Sequence, residues 1–218
     1  MLSRLFQRKH RLVILISGRG SNMKAIIEAV KTGKIPNTKI VGVISDNPNA
    51  EGLSIARKEG IRAVFLSAAP YKTKLEGKAE ERYIALIKRW KPDLIVLAGF
   101  MRVIKPRFIQ SFPHRIINIH PSLLPAYPGL HTHERVLAAG EKESGCTVHF
   151  VNETVDGGKR IIQAKVPVLP QDTLQSLAAR VLEKEHKILP YAIKLLLEKK
   201  ISYESLTEPL QWKDEWNG

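Results

Sequence analysis

The sequence predicts an α/β fold, a mostly parallel, doubly wound sheet with an antiparallel edge. Three observations carry that expectation. Short, unbroken apolar runs alternate with segments of helical period, the pattern of a parallel sheet covered on both faces. A glycine turn, Gly18-Arg19-Gly20, joins the first run to the first helical segment. In the second half the texture changes, and two β-rich runs flank Asp156-Gly157-Gly158, which reads as a hairpin or an antiparallel edge.

Taken in order, Leu12 to Ser17 is the first apolar run, and Met23, Ile26, Ile27 and Val30 follow it at helical spacing. Lys39 to Ser45 is a second β-branched run, stopped by Asp46-Asn47-Pro48. Leu53 to Glu59 reads as a helix before a third strand near Ala63 to Leu66. The long charged segment Tyr71 to Trp90 carries apolar residues at Tyr83, Ile84 and Ile87, and Pro92 precedes the strand Asp93 to Ala98. Ile116 to Ile119 makes a fifth strand. Pro121, Pro125, Pro128 and Gly129 then enforce an irregular loop before a helix from Thr132 to Ala139. Cys146 to Asn152 and Arg160 to Val168 are the β-rich runs, and Gln171 to Leu197 is helical, with Pro190 kinking or interrupting it.

No internal repeat or low-complexity linker breaks the chain, so its 218 residues read as one compact domain over 12–201, with a basic extension over 1–11 and a tail over 202–218. Arg4, Arg8, Lys9 and Arg11 give the extension its charge. Apolar residues make up 44% and charged residues 26%, which argues against wholesale disorder, collagen and coiled coil. The longest apolar run, Leu94 to Met101, has eight residues, far short of the roughly 20 that cross a bilayer as a helix. Cys146 is the only cysteine, so no intramolecular disulfide forms and a cysteine-based zinc site is disfavoured, which fits a reducing, cytoplasmic setting. Charge is the abnormal total: 35 Lys and Arg against 21 Asp and Glu give +14. Such a field attracts anions of any chemistry, from nucleic acid to nucleotide phosphate.

Candidate chemistry concentrates in a few places. The turn Ser17 to Asn22 presents backbone N–H groups at the positive end of a helix, which receives phosphate; it lacks the Lys-Ser/Thr ending of a Walker loop and the third glycine of a dinucleotide fingerprint. Its bland alternative is a plain turn with Ser21 or Asn22 as helix cap. Asn118 and His120, two apart on a strand, project to one side at the carboxyl end of the sheet, where open α/β folds place their crevice. A carboxamide beside an imidazole can hold an oxyanion and move a proton, or both can be satisfied by backbone. Asp156 is either turn chemistry or a carboxylate that folds back on His120. His131 and His133 form an H-x-H pair, but no carboxylate or cysteine completes a familiar ligand set, so no metal is expected. Glu185 shares the apolar stripe of Leu174, Leu177, Ala178, Val181 and Ile188, so it faces inward and needs either a ligand or a core partner.

On the stretches LISGRGSN (Leu15 to Asn22), LAGFMRVI (Leu97 to Ile104), INIHPSLLPAYPGLHTH (Ile117 to His133), VHFVNETVDGG (Val148 to Gly158) and Glu185-His186, the chain resembles the glycinamide ribonucleotide transformylases. Spacing and order agree from about Leu12 to Ile201. These are Rossmann-like, folate-dependent formyltransferases of purine synthesis. The resemblance implies formyl transfer from 10-formyltetrahydrofolate, as co-substrate, to the amine of glycinamide ribonucleotide, with no metal. It implies that Asn118 and protonated His120 stabilise an oxyanion, and that Asp156 raises the histidine pKa and moves a proton through water. It places the substrate phosphate on Gly18, Arg19, Gly20, Ser21 and Asn22 and the ribose on Glu185. Met101, Arg102, Val103 and Ile104, with Val151, Asn152, Glu153, Thr154 and Val155, would contact folate. Some relatives carry a polar or basic residue one turn before the glutamate; here it is Leu182, and Arg19 is the candidate to supply the missing donor.

Expected partners are therefore small molecules, with no nucleic acid and no membrane, and the chain acts as a monomer or homodimer. Methionyl-tRNA formyltransferases share the Asn-x-His-Pro segment but add a C-terminal barrel of roughly a hundred residues, for which this length leaves no room. Formyltetrahydrofolate hydrolases usually carry an N-terminal regulatory domain, which an eleven-residue basic segment does not make. A nucleic-acid-binding module would cluster its charges with exposed aromatics, whereas aromatics are only 6% and the charges are spread.

Overall fold

The computed structural model describes residues 8–214. Two compact units make up the chain, Met1–Arg115 and Ile116–Gly218. The division has no glycine- or serine-rich linker to mark it; it falls where βα repetition gives way to the hairpin texture.

The first unit runs β1 (His10–Ile16), α1 (Ser21–Lys31), β2 (Thr38–Ser45), α2 (Glu51–Lys58), β3 (Ala63–Phe65), β4 (Lys74–Leu75), α3 (Gly77–Trp90), β5 (Leu94–Leu97), β6 (Val103–Ile104) and α4 (Pro106–Ser111). β1 pairs with β2 on one side and β5 on the other, and β3 extends β2, every pair parallel. Leu12 to Ile16 are wholly buried, as a strand covered on both faces requires. Each such large aliphatic side chain contributes about 2 kcal/mol by leaving water. Met23, Ile26 and Ile27 of α1 and Tyr83, Ile84, Ile87 and Trp90 of α3 are buried, at the spacing the sequence shows.

Three elements of this unit, β4, β6 and α4, have no periodic signal because two residues or six are too few to show one. β1 begins at His10 rather than Leu12, since the Arg11 backbone N–H donates to Asp93 Oδ2 at 2.8 Å and its Nε donates to the Trp90 carbonyl at 2.9 Å. Arg8 pairs with the same carboxylate. The last residues of the expected basic extension are thus tied to the unit, while residues 1–7 lie outside the described residues.

The second unit runs β7 (Ile116–His120), α5 (Thr132–Ala138), β8 (Glu143–Phe150), β9 (Arg160–Pro167), α6 (Leu174–Leu197) and β10 (Leu210–Gln211). β7 and β8 are antiparallel, as are β8 and β9, which gives the predicted antiparallel edge. α6 covers β8 and β9 with Leu177, Val181, Ile188, Ala192 and Ile193. Thr173 caps it by accepting from the Ser176 N–H, and the Ser176 hydroxyl accepts in return from Thr173 N–H. The helix continues through Pro190, whose missing N–H is offset by the buried Ile188, Leu189, Ala192 and Ile193 around it. Within the expected tail over 202–218, β10 adds a parallel strand to β9 and the Trp212 N–H donates to Gln163 O at 2.7 Å, while residues 215–218 lie outside the described residues.

Candidate active site

The carboxyl end of β7 carries Asn118 and His120, and the turn between β8 and β9 brings Asp156 to both. His120 Nδ1 lies 3.3 Å from Asp156 Oδ2, and Asn118 Nδ2 donates to Asp156 Oδ1 at 3.4 Å. Ile119, between them, is buried on the other face, as period-two alternation requires. The Asp156 turn is fixed by its glycines. A Cβ on Gly158 would fall 1.7 Å from the Phe150 carbonyl oxygen, so only glycine lets the start of β9 approach β8 this closely. Asp156 itself is left-handed, with φ 53°, a conformation aspartate tolerates better than most residues.

A fourth side chain belongs to this cluster. His149 stands opposite Asn118 in the β7–β8 register and is 2% exposed. Its Nδ1–H donates to the Phe150 carbonyl at 2.9 Å, which leaves the Nε2 lone pair to accept from Asn118 Nδ2 at 3.2 Å. Nε2 also lies 3.5 Å from Asp156 Oδ1. Sequence reasoning missed this residue. The signal was present: His149 alternates with the buried Val148 and Phe150, so a polar group sat on the face shared with Thr147.

Backbone groups of the loop before α5 complete the shell. His120 Nε2–H donates to the Tyr127 carbonyl at 2.9 Å, and Gly129 N–H donates to Asp156 Oδ2 at 2.9 Å. The first contact fixes the tautomer, because a carbonyl only accepts; Nδ1 is then the ring nitrogen that faces Asp156. Burial pushes the Asp156 carboxyl up, but the His149 ring, which donates through Nε2 once it carries a second proton, the Gly129 N–H and the His120 ring when protonated outweigh it and hold the group below its ordinary value. His120 is also held below its ordinary value. Burial pushes it down, and the Tyr127 carbonyl and Asp156, which do favour the imidazolium, do not fully offset that burial. The expected upward pull of Asp156 on the histidine is present, and desolvation is larger, so the ring is less readily protonated than the resemblance implies.

The other predicted site residues divide between the two units. In the first, Gly20 occupies the N-cap position of α1 in a left-handed conformation, φ 78°, and no side chain caps the helix, so Ser21 and Asn22 begin the helix instead of capping it. A Cβ on Gly20 would meet the Gly52 Cα at 3.0 Å, which restricts the turn to glycine on steric grounds as well. Gly18 and Arg19 are exposed, and Asn22 is buried. Met101 and Val103 are exposed apolar side chains, while Ile104 is buried. Arg102 is committed within the unit: Nε donates to Asp46 Oδ2 at 2.5 Å, and Nη1 donates to the Tyr71 and Lys72 carbonyls. Ser17 Oγ donates to the second Asp46 oxygen at 2.5 Å and accepts from Met101 N–H at 2.8 Å.

In the second unit Glu185 is buried on α6, as its place on the apolar stripe predicts, and it acts electrostatically on Cys146 of β8. Leu182 is half-buried one turn earlier. Asn152 to Val155 form an exposed loop closed by its own hydrogen bonds, Thr154 N–H to Asn152 Oδ1 at 3.1 Å and Gly157 N–H to Thr154 O at 3.0 Å; Val151 before it is half-buried. Of the H-x-H pair, His131 pairs with Glu134 at 3.2 Å and His133 is half-buried on α5.

An α/β chain that gathers a carboxamide, an imidazole and a carboxylate at a strand end has the parts of an acyl-transfer site. Residues 10–193 match the model of the formyl transferase family, and the chain belongs to that family. It is 46% identical over 182 residues to a phosphoribosylglycinamide formyltransferase of Escherichia coli, covering 84% of each chain. A trifunctional purine biosynthetic protein of Drosophila melanogaster is 45% identical over 194 residues, 88% of this chain and 14% of that protein. The crystal structure of glycinamide ribonucleotide transformylase 1 from Symbiobacterium toebii superposes with a TM-score of 0.85 at 40% identity, covering 95% of both chains.

Proposed function

We propose that this chain transfers the formyl group of 10-formyltetrahydrofolate to the amine of glycinamide ribonucleotide, giving formylglycinamide ribonucleotide and tetrahydrofolate for purine biosynthesis. The convergence of Asn118, His120 and Asp156, at 3.3 and 3.4 Å, in a chain of the formyl transferase family is the observation that carries this reading.

Attack of a neutral amine on a formyl carbon makes an oxyanion and leaves a proton to be moved. Asn118 and His120 meet the oxyanion. The 3.4 Å contact of Asn118 with Asp156 is at the long limit for a hydrogen bond, so that hydrogen is the one released, while the 3.2 Å bond to His149 keeps the carboxamide in place. His120 stays anchored through Nε2 and turns Nδ1 to the reaction centre. Its depressed pKa suits a transient role: negative charge developing beside the ring draws a proton from water onto Nδ1, and collapse of the charge returns that proton to water. Asp156, ionised because its pKa is low, faces the imidazolium and takes the amine's proton through water, and water carries that proton on to the folate nitrogen as its bond to the formyl carbon breaks.

The uncapped N-terminus of α1 supports assigning the substrate phosphate to Gly18, Arg19, Gly20, Ser21 and Asn22, with Arg19 in place of the donor that Leu182 lacks. Glu185 holds the ribose. Met101, Val103 and Val155 offer exposed apolar surface to folate; Arg102 and Ile104, and Val151, Asn152, Glu153 and Thr154, contribute through backbone. The chain acts in the cytoplasm on small molecules, as a monomer or homodimer and without a metal. No helix among the described residues is long and apolar enough to cross a membrane.

The test is to incubate purified protein with glycinamide ribonucleotide and the formyl donor and to follow deformylated folate by absorbance. Product that forms only when the ribonucleotide is present supports transfer. Equal product without it identifies a hydrolase.

A further inference from the structure

The loop between β7 and α5 supplies two of the contacts that orient the reactive groups, yet it is irregular backbone with Tyr127, Gly129 and His131 all at positive φ. Such a segment keeps its shape only if something outside it holds it. Arg135, in the first turns of α5, is placed to do so. Its guanidinium donates to the Pro128 carbonyl at 2.6 Å and more weakly to the Leu130 carbonyl at 3.5 Å. The same group lies over the Tyr127 ring, 5.3 Å from its centroid, and the Tyr127 hydroxyl is tethered at its far end to Glu141 Oε1 at 2.6 Å. Tyr127 is therefore gripped at ring and hydroxyl while its carbonyl accepts from His120 Nε2, and Gly129, between the two carbonyls that Arg135 holds, donates to Asp156.

We propose that Arg135 is a positioning residue: it holds the Tyr127–Leu130 loop so that the Tyr127 carbonyl fixes the His120 proton on Nε2 and the Gly129 N–H seats Asp156. This rests on the catalytic reading of His120 and Asp156 above. Arg135 touches none of the reacting atoms. Its effect passes through backbone, so it raises turnover without contributing to the binding of either substrate. Planarity matters, because one flat group lies over the Tyr127 ring while its edge nitrogen Nη1 donates to both carbonyls; an ammonium has no flat face to set against the ring.

The charged and titratable groups that face His120 are Asp156, His149, His133 and Arg135 itself, so a change in rate alone would not separate loop geometry from loss of a nearby charge. Three variants separate them. Arg135→Ala removes grip and charge, Arg135→Lys keeps the charge, and Arg135→Gln keeps a planar donor without charge. With Arg135→Ala, kcat falls about tenfold and both KM values stay within about twofold. The 15N spectrum of neutral His120 changes from a pure Nε2–H tautomer to a mixture, and the Asp156 carboxyl titrates at higher pH. Arg135→Gln recovers more of the tautomer purity than Arg135→Lys. Lys165→Ala, which breaks the exposed pair with Glu143 in the same unit, serves as control and changes none of these readings.

Arg135→Ala with unchanged kcat and a pure Nε2–H tautomer overturns the proposal, as does a variant that is faster than the parent, since the loop would then be an obstruction. Full recovery by Arg135→Lys with none by Arg135→Gln also overturns it in favour of a charge effect. If His120→Ala and Asp156→Asn keep near-normal turnover, the catalytic reading fails first; if they abolish turnover and Arg135→Ala is neutral, only the positioning role fails.

Discussion

Asn118 and His149 face each other across the β7–β8 ladder, with the carboxamide Nδ2 3.2 Å from an imidazole nitrogen whose ring is locked by its bond to the Phe150 carbonyl. That pairing decides which end of the carboxamide points at Asp156. A free Asn side chain could present oxygen or nitrogen; the lone pair on His149 Nε2 selects nitrogen.

His149→Ala therefore removes the acceptor that orients Asn118 and leaves a buried amide with one partner fewer. The expected result is a kcat about tenfold lower and a loss of about 1–3 kcal/mol in unfolding free energy. Steady-state kinetics and urea denaturation on the same preparation check both. Unchanged turnover would show that Asn118 needs no such orientation.

Gly158→Ala tests the tightness of the Asp156 turn. The added Cβ cannot coexist with the Phe150 carbonyl at 1.7 Å, so the start of β9 must shift and carry Asp156 away from His120. A kcat loss near a hundredfold is expected, with the unfolding midpoint lowered. A variant with parental kcat would mean that the turn does not set the position of the carboxylate.

Acidification should destabilise the fold in two stages. Burial pushes His120, His133 and His186 below the ordinary value of 6.5, so the unfolded chain binds protons more readily than the folded one, and stability is full above that value and declines as pH falls through the window beneath it. Asp156, lowered from 3.8, stabilises the fold above that value, and its contribution is lost as pH falls further through the folded one. Urea midpoints measured from neutral to acid pH should fall across the histidine window, and the double substitution His133→Gln, His186→Gln should flatten part of that decline. A midpoint that is constant or rises there contradicts the burial argument.

Asp46→Ala leaves the Arg102 guanidinium without its carboxylate and Ser17 without its acceptor. Both members of the pair are largely buried, at 5% and 18% side-chain exposure, so the cost should be about 3 kcal/mol of stability. Because Ser17 also accepts from Met101 N–H, the KM for the folate donor should rise. An unchanged KM would detach Met101 from folate binding.

Much of this arrangement is legible in the sequence because period and turn chemistry are local. The apolar run at Leu12 to Ile16, the alternation that sets Asn118 and His120 on one face, and the stripe that buries Glu185 each need only a few neighbours to read. What is not legible depends on register or on long-range partners. His149 becomes part of the cluster only when the β7–β8 pairing places it opposite Asn118, and Arg135 matters only because α5 begins where the loop ends. The net direction of the His120 shift is hidden for a related reason: the attractive partner is visible in the sequence, whereas the depth of burial that outweighs it is a property of the packed unit. The boundary after Arg115 and the strand β10 are likewise set by packing, without a compositional mark.

The central claim is that Asn118, His120 and Asp156 act on the migrating formyl group, and Asp156→Asn tests it most directly. The substitution keeps the size of the side chain and removes the charge. Calorimetric binding of glycinamide ribonucleotide and of a folate analogue, set beside kcat for formyl transfer, should show both ligands bound with parental affinity and turnover lower by about three orders of magnitude or more. Parental turnover, or turnover lost only in proportion to weakened binding, would contradict it.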